Sequence, residues 1–288
     1  MPEAPLPAFD LVLATVDRVD EPAAFLASLE RQTHRSFRVL VVDQNDDDRL
    51  QPILDAHPAV ETLRLRSGRG LSRARNGALP HVTADVVAFP DDDCVYPDDL
   101  LERLGRRLTA RPELDGVTVR AVDRSGRSSP SWEREAAVLT ADNLWNRAVS
   151  FALFLRRRIV AEVGEFDEQL GLGAQTPWFS SEEIDYLVRA VRAGARIEYD
   201  PALTVIHEEK VSQDGAPAAV GHRDGASIGY ILRKHGYPPA VIARMLVRPL
   251  GGAVVSAARG DVTRARFHAA TLRGRLLGYR RAGRLHGS

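Results

Sequence analysis

Residues 86–94 read Val-Val-Ala-Phe-Pro-Asp-Asp-Asp-Cys. A short apolar run has the pattern of a buried strand, and this one stops at three adjacent carboxylates. Three acids at one strand end repel one another and lose hydration on burial. A divalent cation relieves both costs, because hard cations take oxygen ligands. Asp91 and Asp93 stand two apart, so in extended chain their side chains lie on one side. The other reading is a solvated acidic turn ahead of a helix that starts near Pro97.

The chain on either side alternates between two periodicities. Phe9 to Val16 reads as a first strand, and Phe25, Leu26 and Leu29 share a helical face within Glu21 to Gln32. Phe37 to Val42 is a strand ending at Asp43-Gln44-Asn45, Leu50 to Ala56 a short helix, and Val60 to Leu65 a third strand. Ser72 to Leu79 is a helix carrying Arg73, Arg75 and Asn76, followed by the strand with the three aspartates. Pro97 to Thr109 continues as helix, Gly116 to Val122 as strand, and Asp123 to Ser131 as a polar loop. Arg156 to Val163 reads as helix, and a glycine-rich loop runs from Gly171 to Trp178. A helix then opens on Glu182, Glu183 and Asp185, with Ser181 as its N-cap, and stops at Gly194. Ile197–Tyr199 and Leu203–Ile206 are short strands, the second ending at His207.

Such alternation specifies an α/β fold with a mostly parallel sheet covered by helices. Ligands of these sheets bind beyond the carboxyl ends of the strands. Thr15 to Arg18, Asp43 to Asn45, Arg69 to Arg75 and Asp91 to Asp93 all fall at those ends. No Gly-x-Gly-x-x-Gly follows the first strand and there is no P-loop, which excludes those two ways of holding phosphates.

The 288 residues balance 39 Lys+Arg against 39 Asp+Glu, so no global field selects a nucleic acid. The balance is uneven along the chain. From Lys210 onward fourteen Lys or Arg face three Asp. The expected division is therefore 1–209 for the α/β domain and 210–288 for a basic helical extension. A single cysteine, Cys94, excludes a disulfide framework and a cysteine zinc site. No basic segment leads into an apolar core at the N-terminus, and no uninterrupted apolar run approaches the ~20 residues of a membrane span. A cytoplasmic location is expected, peripheral on the inner face of the cell membrane.

In this order, the motifs resemble those of family 2 of the inverting, nucleotide-sugar-dependent glycosyltransferases with the GT-A fold, in its bacterial polysaccharide-type branch. They are Ala-Thr-Val-Asp-Arg at 14–18, Val-Val-Asp-Gln-Asn at 41–45, Ala-Arg-Asn at 74–76, Phe-Pro-Asp-Asp-Asp at 89–93 and Glu-Glu-x-Asp at 182–185. The resemblance implies that Thr15, Val16, Asp17, Arg18, Asp43, Gln44, Arg73 and Arg75, with Asp91 and Asp92, hold the donor nucleotide. It implies Mg²⁺ or Mn²⁺ on Asp91 and Asp93, with His207 matching a histidine that approaches the metal in some relatives. As an isolated strand-end histidine, His207 equally reads as a structural residue. Glu183 stands where the family carries its general base, flanked by Glu182 and Asp185 as further candidates. The usual pair there is Glu-Asp or Asp-Asp, and this chain has Glu-Glu. Gly173, Thr176 and Trp178 fall on the acceptor-side loop, and Trp178 reads either as a sugar platform or as a loop anchor.

The implied partners are a nucleoside-diphosphate sugar and a glycan or lipid-linked acceptor, in cell-surface polysaccharide or glycoconjugate synthesis. Segments 226–235, 240–258 and 262–279 read as basic amphipathic helices, which suit peripheral membrane contact. Too few aromatics interleave with their arginines for nucleic-acid binding. Two other functions compete. A sugar nucleotidyltransferase needs glycines after the first strand that Ala14 to Arg18 lacks. A non-catalytic nucleotide-sugar-binding module would keep the donor residues without a working base.

Overall fold

β1 (Phe9–Thr15) is buried at every position, which an apolar run with Val and Leu on both faces requires. The computed structural model describes residues 5–129, 131–208 and 217–285. Around β1 lie β2 (Phe37–Asp43), β3 (Thr62–Arg66) and β4 (Val86–Ala88), all parallel. β5 (Cys94–Val95), β6 (Gly116–Val122), β7 (Ala137–Val138), β8 (Leu153–Arg156) and β9 (Ile197–His207) complete a nine-stranded sheet. Its order is β3-β2-β1-β4-β8-β6-β9-β5, with β7 also on β9. β8, β5 and β7 run against the other six strands, so the sheet is mixed and mostly parallel.

β9 differs from the two short strands expected there. It is one strand of 11 residues whose pairing to β6 slips between Val119 and Arg120, where Asp200 gives way to Thr204. Pro201 lies in the skipped stretch, and a proline cannot donate to a ladder. Two short strands share the other edge of β9. β7 takes Glu198 and Tyr199, and β5 takes Ile206 and His207. Neither β5 nor β7 is long enough to show a period in sequence.

Helices α1 (Asp20–Glu30) and α4 (Leu100–Ala110) bury Phe25, Leu26 and Leu29, and Leu100, Leu101, Leu104 and Leu108, beside the sheet. Each such side chain contributes about 1.5–3 kcal/mol relative to exposure. α2 (Gln51–Ala56), α3 (Leu71–Ala78) and α5 (Arg157–Val163) are shorter.

The chain divides into two compact units, residues 1–166 with 186–209 and residues 167–185 with 210–288. The segment 167–185, expected with the sheet, groups instead with the C-terminal helices. Two contacts inside that unit explain it. The Trp178 ring stacks on Tyr230 at 4.9 Å, and Lys234 Nζ meets Asp167 Oδ2 at 2.6 Å. α6 (Glu182–Arg192) begins in this unit and ends in the first.

The second unit is built on α7 (Pro217–Lys234), α8 (Pro239–Ala258) and α9 (Val262–Leu285). α7 starts earlier than Ala226, where its apolar pattern begins. The reason lies in its packing against α9. A Cβ on Gly229 would sit 2.0 Å from the Arg275 carbonyl, and one on Gly278 1.9 Å from the Ala226 carbonyl. Small residues on both helices let the two backbones touch. Glycine contributes nothing to a hydropathy pattern, so the first turns of α7 are silent in sequence.

Candidate functional site

The residues expected on the donor side converge on the carboxyl ends of β1, β2 and β4 in the first unit. Thr15, the last residue of β1, donates its hydroxyl to Asp92 Oδ2 at 2.6 Å. Arg18 reaches the same carboxylate through Nη1 and lies 3.2 Å from Asp93 Oδ2. Burial pushes the Asp92 carboxyl above its usual range, against the pull of Thr15 and Arg18. Asp17 has a φ of 57°, left-handed backbone that aspartate tolerates better than most residues. It is held there by its own N–H on Asn45 Oδ1 at 2.7 Å. Val16 is half-buried and Arg73 exposed.

Asp43, at the end of β2, is fully buried. Burial alone would raise its pKa. The Asn45 N–H, the Arg64 guanidinium and the Asn45 side chain all donate to it, and Arg66 adds positive charge. The carboxyl ends below its usual range. Sequence reasoning missed Arg64 and Arg66. Their signal is the alternation Thr-Leu-Arg-Leu-Arg of β3, which puts two arginines on one face beside Asp43. Gln44 accepts the Gly70 N–H at 2.8 Å and so ties the end of β2 to the start of α3.

Arg75 has only 1% of its side chain exposed and approaches Asp91 Oδ1 at 3.3 Å. Its guanidinium lies 5.5 Å from the Phe166 ring centroid and 6.0 Å from that of Phe89. Aromatic faces favour a desolvated cation. Asn76, next along α3, exchanges two hydrogen bonds with the Phe166 backbone at 2.7 and 3.0 Å.

The ligand atoms of Asp91, Asp93 and His207 lie within 4.8 Å of one another. β5 makes this cluster. Its pairing sets Cys94 opposite His207, which brings the imidazole Nε2 to 3.1 Å from Asp93 Oδ1. Phe151 stacks on the imidazole at 4.3 Å and 14°. Two carboxylates and an imidazole suit Mg²⁺ less than Mn²⁺, which accepts nitrogen more readily, and three protein ligands leave positions for phosphate oxygens. The residues present therefore fit the cation expected from the motif.

Beside His207 opens a cavity of about 530 Å³, lined among others by Asp123, Arg127, Ser128, Trp132 and Phe151. It lies at the ends of β6 and β9. The loop that supplies Arg127 to Trp132 reads as merely polar in sequence.

The remaining expected residues belong to the second unit. Glu182 is buried and Glu183 half-buried in the first turn of α6. Ser181, expected as an ordinary N-cap, has a φ of 73°. Asp185 is fully buried, 2.7 Å from Lys234 Nζ and 2.8 Å from His235 Nε2. That double pairing commits its carboxylate to the end of α7 and the residue after it, which speaks for a structural part over a catalytic one. Trp178 needs correction as an acceptor platform. Its ring is 2% exposed and stacked on Tyr230, so it anchors the loop. Thr176 braces the same turn, donating to the Gln169 carbonyl at 2.5 Å and accepting from the Trp178 N–H, while Gly173 supplies a φ of 79°.

Residues 11–162 match the model of glycosyl transferase family 2. The chain belongs to that family. The expected GT-A fold and the resemblance to family 2 stand. Among curated relatives, a pre-mycofactocin glycosyltransferase of Mycobacterium tuberculosis is 26% identical over 258 residues, which is 76% of this chain and 52% of the relative. The chain thus spans about half the length of that relative. An uncharacterized glycosyltransferase of Bacillus subtilis, YwdF, is 21% identical over 78% of this chain and 83% of its own. Among solved structures, the mannosyltransferase PcManGT from Pyrobaculum calidifontis, in complex with GDP-Man and Mn²⁺, superimposes with a TM-score of 0.66 at 17% identity, covering 95% of this chain and 88% of its own. S. aureus TarS 1-349 in complex with UDP-GlcNAc gives 0.59 at 18% identity, covering 93% and 92%.

Proposed function

We propose that this family 2 protein moves a sugar from a nucleoside-diphosphate donor to a hydroxyl of a glycan or lipid-linked acceptor, with inversion at the anomeric carbon. The observation that carries the reading is the cluster of Asp91, Asp93 and His207 beside a cavity large enough for a sugar ring. The nucleoside half of the donor would meet Thr15 to Arg18, Asp43 and Gln44, and Arg75 would face its phosphates. Asp91, Asp93 and His207 would hold Mg²⁺ or Mn²⁺. Such a cation, when bound, neutralises charge on a leaving diphosphate.

In the reaction, the acceptor oxygen bonds to the anomeric carbon. The bond from that carbon to the diphosphate oxygen breaks, and its electron pair leaves with the diphosphate. The proton of the attacking hydroxyl passes to a carboxylate. Glu183 is the choice for that base from its place in the motif, and Asp185 is disfavoured by its pairing to Lys234 and His235. Trp132 and Arg127, in place of Trp178, are the choice for contacts to the sugar: an aromatic face packs against ring C–H groups and a guanidinium meets hydroxyls. Peripheral contact with a membrane would suit a lipid-linked acceptor.

A thermal-shift series with UDP, GDP and ADP, each with and without Mn²⁺, tests the donor half. A ligand that binds the native state raises the Tm. One nucleotide should stabilise the protein in a Mn²⁺-dependent manner, and Asp93→Ala should abolish that dependence. Stabilisation with no turnover of any matching sugar nucleotide would leave a binding module in place of an enzyme.

A further inference from the structure

The C-terminal helices carry an exposed surface that the described residues of their own unit leave uncovered. On α8, Ala243, Val247, Leu250, Val254 and Ala257 recur at spacings of four and three, which puts them on one face. Val247, Leu250 and Val254 are 61%, 50% and 62% exposed. Met245, Pro249 and Ser256 are buried on the opposite side. α8 is long and apolar enough to cross a membrane by length and composition, although Arg244 and Arg248 interrupt it and only 17% of its apolar window is buried. Val255 and Val262 widen the exposed face at 49% and 57%. Between α8 and α9 runs an apolar groove of about 480 Å³, lined by Val254, Ala257, Val262, Ala265 and Ala269 among others.

The charge around this face has one sign. From Pro239 to Leu285 there are ten arginines and a single acid, Asp261. Arg244, Arg248, Arg259, Arg264, Arg266 and Arg273 are all exposed. A second copy of the chain would set arginine against arginine. A nucleic acid would use the charge but leave the valines in water, and α8 has no aromatic on which a base could stack. An anionic bilayer answers both features at once. Its acyl boundary takes Val247, Leu250 and Val254, and its headgroups take the guanidinium ions.

We propose that this face seats the protein on an anionic lipid surface, with α8 lying in the plane of the interface. Arg244 and Arg248 next to the apolar stripe argue for lying over spanning, since a helix at the interface keeps them among headgroups. The proposal deepens the membrane contact named above and needs no part of the transferase chemistry.

Co-sedimentation of the full chain with vesicles tests it, read without donor or turnover. Two compositions are used: phosphatidylcholine alone, and equal parts phosphatidylcholine and phosphatidylglycerol. Binding is expected to the second only, and to weaken as salt rises. Leu250→Glu with Val254→Glu should lower the bound fraction about tenfold or more. Arg248→Gln with Arg259→Gln should lower it about fivefold per charge removed. All four positions are exposed, so circular dichroism and Tm should match the parent and show that folding is intact. Equal binding to neutral vesicles, or binding untouched by either pair, would overturn the proposal. So would a dimer in light scattering that Leu250→Glu with Val254→Glu splits into monomers, because the face would then belong to a second copy. Resistance of the bound protein to an alkaline carbonate wash would overturn the in-plane arrangement.

Discussion

The strand-end cluster and the C-terminal helices treat charge in opposite ways. At the ends of β1, β2 and β4, every carboxylate at the centre has a cation or donor beside it: Asp43 has Arg64 and Arg66, Asp92 has Thr15 and Arg18, Asp91 has Arg75. Across α8, α9 and the turn between them, ten arginines share one aspartate, and apolar side chains stand in water between them. Internal pairing gives rigidity, which a site that must match a transition state needs. Unbalanced charge on an apolar face gives affinity for something outside the chain. On the proposals above, one region would serve chemistry and the other attachment, and the two can be broken separately.

The largest effect should come from the cluster. Asp93→Ala removes a proposed oxygen ligand and one partner each of His207 and Arg18, and kcat/KM for transfer should fall at least about 10³-fold. Vesicle binding should not change, and a parallel loss of both would collapse the contrast between the regions. Glu183→Gln should lower kcat about 10²–10⁴-fold while the nucleoside diphosphate still raises the Tm. Next in size is a packing test of the helical unit. Gly229→Leu drives a side chain into the Arg275 backbone and should cost about 3 kcal/mol in denaturant unfolding.

A smaller effect tests the internally paired acids. Asp10, fully buried, is raised by desolvation, but hydrogen bonds from Arg38, Ala84 and Thr83 outweigh this and leave its pKa lowered, as with Asp43. A carboxyl whose folded pKa lies below its unfolded value stabilises above the unfolded value, about 3.9, and loses that stability as pH falls through the folded one. The Tm should therefore drop below about pH 4. Asp10→Asn should cost about 1–3 kcal/mol at pH 7, with the gap to the parent closing in acid. Last, Trp132→Ala should raise KM for the sugar-bearing substrate about tenfold with little change in kcat, which sharpens the assignment of the cavity beside His207.

Much of the first unit was legible in the chain because its signals are local. Apolar runs marked β1, β2 and β4 and put Thr15, Asp43 and Asp91 to Asp93 at their ends, and Phe25, Leu26 and Leu29 at helical spacing marked α1. What stayed illegible depended on partners far away in sequence. Arg18 was expected among the donor-nucleotide residues, but its pairing with Asp92 and Asp93, 74 and 75 residues on, has no local signal. Trp178 offered two readings, and only the position of Tyr230 chose between them. α7 hid its first turns because glycines chosen for close packing carry no apolar signal.

By itself, then, the sequence determined the alternation of strands and helices, the acids at the strand ends and the basic bias beyond Lys210, since these follow from neighbour spacing and composition. Tertiary structure alone decided which acids are paired, that His207 joins Asp91 and Asp93, and that the apolar stripe of α8 is left open. Each of these depends on a contact between separate elements, from Arg75 with Asp91 to His207 with Asp93, or on the absence of cover, and neither has a local pattern to announce it.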